Sequence, residues 1–241
     1  HAESLTGQYL SGRRRIEVPA LRHRVNPKRR LEITGGDTAL RLWDCQNVWI
    51  DACQIHDCAG VGIEANSVDT AWLTITRNEI HGTAGTGEGI YLGANNGTFV
   101  THDSVVALNH VHDTGGSQGD GIELKQGSYG NLIAANLVHD TPYPGILVYG
   151  TGGGAINVIE RNTVYDSGDN VMQVQGEALV QNNLLINGSA AFASHDHQGQ
   201  VRDLTVIHNT MINTGRAADL SDWSGSPNVT FANNACYSKT G

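Results

Sequence analysis

The run Asp120-Gly-Ile-Glu-Leu-Lys125 concentrates the groups in this chain best suited to chemistry. In an extended strand, residues two apart share a face, so Glu123 and Lys125 project together. Glu88 precedes Gly89-Ile-Tyr-Leu92 as Asp120 precedes Gly121-Ile-Glu-Leu124, so the two acids hold equivalent positions in two similar segments. Glu88, Asp120 and Glu123 are therefore expected as a carboxylate cluster beside Lys125. Such a cluster suits β-elimination of an acidic polysaccharide. There, a hard cation held by carboxylates neutralises the uronate and acidifies its C5 proton for a positioned base. Carboxylates around a lysine favour its charged form, a poor base, so this reading requires bound Ca²⁺ and implies an alkaline optimum. The rival chemistry is glycoside hydrolysis by a carboxylate pair about 5 to 9.5 Å apart, drawn from Glu64, Glu88, Asp120 and Glu123. The bland reading is a Glu123–Lys125 pair on a solvated surface. His195-Asp-His197 is a further polar spot, read either as a base or metal pair or as a plain loop.

What must position these groups is a repeat. Ile75-Thr-Arg-Asn78-Glu-Ile80-His81 returns as Val106-Ala-Leu-Asn109-His-Val111-His112-Asp113, Ile133-Ala-Ala-Asn136-Leu-Val138-His139-Asp140 and Ile159-Glu-Arg-Asn162-Thr-Val164-Tyr165-Asp166. Weaker copies begin at Ile50, Val180, Val206 and Phe231, and the spacing runs from 21 to 31 residues. Between the copies stands a second phrase, glycine then apolar-x-apolar, at Gly62, Gly89, Gly121 and Gly145. Each period holds two or three short alternating strands and no stretch of 3.6-residue periodicity, which predicts an all-β, right-handed parallel β-helix of about eight coils. A sandwich would leave asparagine at one fixed phase unexplained. Here the Asn column is expected at left-handed corners, with amides stacked from coil to coil. The His-Asp step after it (His56-Asp57, His112-Asp113, His139-Asp140) is read as a stacked, solvated strand end rather than a metal site or catalytic dyad.

Neighbouring coils bring outward side chains within about 4.7 to 4.9 Å, so a sugar chain would lie along one strand column. On the glycine-led strands the outward positions peak in polar and aromatic density at Tyr91, Glu123, Lys125, Tyr149, Gln173, Gln175 and His195. Tyr91, Tyr149, Gln173, Gln175 and His195 are the candidate substrate contacts. Tyrosines stacking on sugar rings would also serve a non-catalytic glycan-binding or surface module.

Charge divides the chain. Residues 1–35 carry eight Lys and Arg against three Glu, a balance of +5, and the remaining residues sum to −14. Two pieces follow: a basic segment at 1–35 outside the repeat and a β-helix domain at 36–241. The acidic body would repel a phosphate backbone, so nucleic acid is not an expected partner. No run of eighteen apolar residues marks a membrane span, and no basic-then-apolar leader opens the chain as given. The expected partner is a polysaccharide, the expected state a monomer, and the expected natural location secreted, cell-surface or periplasmic. Cys45, Cys53, Cys58 and Cys236 lack zinc spacing; either a disulfide among the first three or buried free thiols fits.

With these phrases in view, residues 36–241 resemble the parallel β-helix proteins of the pectate-lyase-like superfamily, which includes lyases, hydrolases, epimerases and adhesins. Asp120-Gly-Ile-Glu-Leu-Lys125 is similar to an Asp-Gly-x-x-x-Lys run in some pectate lyases. That resemblance implies Lys125 as base, Asp120 as a Ca²⁺ ligand and Glu88 beside it. The family's larger Asp cluster is missing, and no arginine is evidently placed to grip a carboxylate. Ser4-Leu-Thr-Gly-Gln-Tyr-Leu-Ser-Gly12, Arg15-Ile-Glu-Val-Pro19 and Leu31-Glu-Ile-Thr-Gly35 resemble instead a connector of the bacterial excinuclease A subunit. No Gly-x-x-x-x-Gly-Lys-Ser/Thr follows, so that resemblance carries no nucleotide site; residues 1–35 are read as a chimeric or misassembled reading frame in preference to a basic leader whose likeness is accidental.

Overall fold

The computed structural model describes residues 31–240; most of the basic segment and its excinuclease-like phrases lie outside them. The described chain winds into a right-handed parallel β-helix of about eight coils. A three-residue 3₁₀ turn, Asn95–Gly97, is its one helical element among the described residues. Three parallel sheets run its length. The first has nine strands, from Glu32–Thr34 through His110–His112 and Leu137–Thr141 to Ala235–Ser238. The second has eight, including Ile63–Ala65, Ile90–Leu92, Ile122–Leu124, Ile146–Val148 and Met172–Val174. The third, also of eight, runs from Trp49–Asp51 to Thr230–Ala232. Glu32–Thr34 pairs in register with Gln54–His56, so the solenoid takes in residues that the charge split groups with the basic segment.

Each strand alternates, and the alternation fills the core. Ile55, Ile80, Val111, Val138, Val164, Leu185 and Met211 of the first sheet meet Ile63, Ile90, Ile122, Ile146, Met172 and Phe192 of the second, all fully buried. The glycine before the second-sheet strands at Ile63, Ile90, Ile122 and Ile146 answers to close approach. A Cβ on Gly89 or Gly121 would lie 2.4–2.6 Å from the next coil's carbonyl and from a core valine, Val111 or Val138.

The asparagine column forms a buried ladder at the bend between third and first sheets. Asn78 Nδ2 donates to Asn109 Oδ1, and the chain of bonds runs on through Asn136, Asn162, Asn183 and Asn209 to Asn234, each 2.9–3.0 Å. The same amides donate to a backbone carbonyl of the coil before, as Asn136 does to Val106 at 2.9 Å. Here the expected backbone conformation is displaced by one residue. Left-handed φ falls on the residue before each ladder asparagine (Arg77, Leu108, Ala135, Arg161, Asn182, His208) and not on the asparagine itself. The asparagine is retained for its amide, whose donor and acceptor both repeat with the coil. A second ladder, Asn131 to Asn157 at 3.1 Å, was not legible in the sequence because neither residue stands in the repeated phrase: Asn131 precedes a third-sheet strand and Asn157 opens the next.

The aspartates of the His-Asp steps do occupy left-handed corners: φ is 53° at Asp57, 48° at Asp113, 52° at Asp140 and 54° at Asp166. Asp and Asn tolerate that region best among residues with a side chain. All four cysteines are free thiols, Cys53 and Cys58 buried.

Candidate functional site

Register along the second sheet lines up one outward row, Arg41, Glu64, Tyr91, Glu123, Leu147, Gln173 and Ala193. Lys125 and Tyr149 stand two residues further along their coils. Gly93, with φ of +82°, occupies the position before Lys125 in that second row, and a Cβ there would press on Lys125 Cβ at 3.2 Å. These rows point away from the core yet are covered. Loops on both sides wall them into a groove with a central cavity of about 250 Å³, lined by Asp120, Glu123, Lys125, Tyr149, Gln173 and His197 among others. A cavity of about 190 Å³ lined by Glu64, Glu88 and Tyr91 adjoins it, sharing Asn95 and Gln118. Gln175 lies in a third cavity with Glu177 and Arg202.

Lys125 is the one Lys or Arg side chain lining the central cavity. Its ammonium is ion-paired to Glu123, with 4% and 3% of the two side chains exposed. It lies over the Tyr91 ring at 5.0 Å and the Tyr149 ring at 5.3 Å from the centroids. The pair is therefore buried between two aromatic faces, where the sequence allowed a solvated surface pair. Tyr91 and Tyr149 are themselves 9% and 3% exposed, so their faces serve the lysine and are not open platforms for sugar stacking.

Burial sets the protonation of the acids. It pushes Asp120 up to about 9, with repulsion from Glu123 and Glu88 adding to it and Lys125 opposing. Burial likewise lifts Glu123 to about 7 against the pull of Lys125. Glu88 is raised by desolvation as well. Glu88 Oε2, Asp120 Oδ1 and Glu123 Oε2 are buried without a hydrogen-bond partner. Desolvation first, then Glu123, raises both phenols, so Tyr91 and Tyr149 stay protonated. His197 is lowered by burial, then by His195 and Lys125, which keeps its imidazole neutral at pH 7.

His197 sits edge-on to Tyr149 at 5.1 Å between ring centroids. Gln173 Nε2 lies 3.4 Å from His195 Nε2 and 3.3 Å from His197 Nδ1. Of the candidate residues, Asp120, Glu123, Lys125, Tyr149 and Gln173 converge on the central cavity. Glu88 and Tyr91 flank it on one side and Gln175 stands apart, while His195 reaches it through Gln173. Sequence reasoning did not select His197, Asn95, Gln118, Tyr143 or Asp169, because all lie in inter-strand loops where no period fixes their phase. Only the His195-Asp-His197 phrase hinted at one of them.

Carboxylates in a β-helix groove invite a calcium test. Among the described residues, the one trio of His, Cys, Asp or Glu ligand atoms within 4.8 Å of one another is His110, His112 and His139. Glu88, Asp120 and Glu123 do not close to that distance, and an ammonium stands among them. Their unpartnered oxygens are of the kind that a hard cation takes.

Known proteins give three likenesses. UvrABC system protein A of Xanthomonas axonopodis pv. citri (strain 306) is 41% identical over 87 residues, 34% of this chain and 8% of that protein. The protein of the same name from Escherichia coli (strain K12) is 61% identical over 33 residues, 14% of this chain and 4% of that protein. This chain thus spans less than a tenth of the curated relatives it matches. Among solved structures, the periplasmic alginate epimerase AlgG superposes with a TM-score of 0.66 at 18% identity, covering 83% of this chain and 49% of that one. Its T265N mutant gives 0.65 at 18% identity, over 84% and 48%. At that identity the likeness speaks for the fold. A family model described as "Right handed beta helix region" matches residues 28–157. On that match, more than half its length, the chain belongs to the right-handed β-helix family.

Proposed function

We propose that this chain acts on an acidic polysaccharide lying along the second-sheet groove, removing the C5 proton of a uronate residue. The observation that carries the reading is the charge state of the central cavity. Lys125, its charge shared with Glu123, and Asp120, a carboxyl kept protonated by burial, face it beside Asp169, so the cavity offers an anionic sugar one ammonium and one O–H donor. Loss of the C5 proton drives charge onto the uronate carboxyl, and the Lys125 ammonium and the Asp120 O–H are placed to hold that charge. Neutral His197 is the base, and the protonated Tyr149 phenol beside it is the acid. Return of a proton to the opposite face of C5 gives epimerisation; loss of the O4 substituent gives β-elimination. The alginate epimerases whose fold this chain shares support an acidic polysaccharide as substrate and a location outside the cytoplasm. In this assignment Lys125 is the charge-neutralising group and His197 the base, in place of the Lys125 base that the pectate-lyase resemblance implies. Calcium assistance is a separate proposal, supported by the three unpartnered oxygens, and no step here is routed through it.

Hydrolysis by two carboxylates has less support, because the ionised form of Glu123 is tied to Lys125. The test is to incubate the full chain in D₂O with polymannuronate, polyguluronate and polygalacturonate. Deuterium at C5 is followed by NMR, and unsaturated ends by ultraviolet absorbance. Exchange with intact chains marks an epimerase, and unsaturated ends mark a lyase. Neither signal with any of the three overturns the reading and leaves a glycan-binding module.

A further inference from the structure

On the first sheet, away from the groove residues, histidines from successive coils stack face to face. His56 lies 5.1 Å from His81, His81 4.9 Å from His112, and His112 5.1 Å from His139, with Tyr165 closing the stack 4.7 Å further on. Register demands this, since His56, His81, His112, His139 and Tyr165 pair across five neighbouring strands. One residue departs from the column. His110 stands on the same strand as His112, its ring 4.3 Å from that of His112 and 5.0 Å from that of His139.

We infer that His110, His112 and His139 form a binding site for a late first-row divalent cation such as Zn²⁺, a clip joining successive coils. Four observations carry it. Each of the three residues offers a nitrogen, and the three nitrogens lie within 4.8 Å of one another. His112 Nε2 is buried with no hydrogen-bond partner. The far nitrogens of two rings are already engaged by carboxylates, His112 Nδ1 with Asp113 Oδ2 at 2.7 Å and His139 Nδ1 with Asp140 Oδ2 at 2.6 Å. With Nδ1–H donating to aspartate, the Nε2 lone pairs point inward, the outer-shell arrangement that orients metal-binding imidazoles. Finally, Glu79 Oε1 lies 3.8 Å from His112 Nε2, which puts a carboxylate next to one member of the trio.

The distances suit the ion. Ligand atoms on one tetrahedral Zn²⁺ sit about 3.3 Å apart, given bonds of about 2.0–2.1 Å. His110 Nε2 and His139 Nε2 are 2.8 Å apart, and His112 Nε2 and Glu79 Oε1 are 3.8 Å apart, so the needed separation falls between them. Without metal, one of His110 and His139 donates to the other; loading requires both rings to present lone pairs. Three imidazoles favour Zn²⁺, Ni²⁺ or Cu²⁺ over Ca²⁺ or Mg²⁺. His110 with His112, and His139, belong to successive coils, so the ion would tie the two together.

The test titrates the full chain, first stripped with a chelator, with Zn²⁺ by calorimetry and with Co²⁺ by visible absorption. Saturation is expected at one site that depends on these histidines, with the absorption band of low-coordinate Co²⁺. His112→Gln and His139→Gln should each weaken it at least tenfold, and Asp113→Asn by about 10-fold or more. His56→Gln, in the same stack but outside the trio, should bind as the parent does. Circular dichroism identifies any variant that fails to fold, and His110→Gln then takes its place. Absence of saturable binding by the folded parent, or parental affinity in every folded trio variant, overturns the site.

Discussion

Glu123 and Lys125 form an ion pair on one strand with both side chains almost wholly buried. Removing one partner of such a pair strands the other, at a cost of about 3–5 kcal/mol when the remaining group cannot neutralise itself. Glu123 can do so, since burial already holds it up to about 7. Lys125→Met is therefore expected to fold with a protonated Glu123 and to lose C5 exchange by more than 100-fold. Glu123→Gln leaves an ammonium between two rings without a counter-ion and should be the less stable variant. Denaturation of both single variants and the double checks the order; equal stability of the singles refutes it.

Asp120 makes the fold sensitive to alkali. Its folded value of about 9 lies above the ordinary 3.8, so between these limits the folded state holds a proton that the unfolded chain has lost. Stability must therefore be full in mild acid and fall as pH rises through that window. Asp120→Asn removes the dependence. Its melting temperature should match the parent near pH 4 and exceed it by several degrees at pH 8, while C5 exchange is largely kept, because the amide N–H donates where the Asp120 O–H did. A variant that melts below the parent at pH 8 would mean Asp120 is ionised in the folded chain.

How far the sequence foretells this molecule depends on phase. Ile80, Val111 and Val138 recur at a fixed offset from Asn78, Asn109 and Asn136, so coil, core and ladder were legible. Asp120, Glu123 and Lys125 were legible too, because the glycine at 121 gives the strand after it a definite phase. Asp169 was not, and His197 only as part of the His195-Asp-His197 phrase: they stand on loops whose length changes from coil to coil. Burial was equally hidden. Alternation says that Glu123 and Tyr91 point outward, but only the loops around them decide that outward here means a covered groove. Left-handed backbone at Leu108 and Ala135 was misplaced by one residue because asparagine's known tolerance for that region drew attention from its amide.

The ladder predicts a large local cost for its removal. Asn136 Oδ1 accepts from the backbone N–H and the amide of Asn109, and its own amide donates to Val106 and Asn162. Asn136→Val deprives four buried groups of a partner, each worth about 1–3 kcal/mol if left unmet. The neighbouring Leu108, exposed at φ of 61°, is the opposite case. Leu108→Asn relieves left-handed strain of about 1 kcal/mol without touching the ladder. Urea midpoints should move down for the first and up for the second; a stabilised Asn136→Val would show the amides to be dispensable.

A calcium-assisted reaction and a metal-free one make opposite demands on a chelator. If Lys125 and protonated Asp120 already neutralise the uronate, a chelator should leave C5 exchange within about twofold of its untreated rate, and added Ca²⁺ should give no saturable heat. A carboxylate cage would behave otherwise, since Ca²⁺ sites draw on ionised oxygens and release protons on filling. The sharpest comparison is Asp120→Asn, which takes a carboxylate from a calcium site but keeps a neutral hydrogen-bond donor, so a calcium-dependent enzyme loses activity with it and a metal-free one keeps most of it. Loss of activity in the variant that raised Ca²⁺ restores, or loss of parental activity in chelator, would put the cation back in the groove and reassign Glu88 and Asp120 as its ligands.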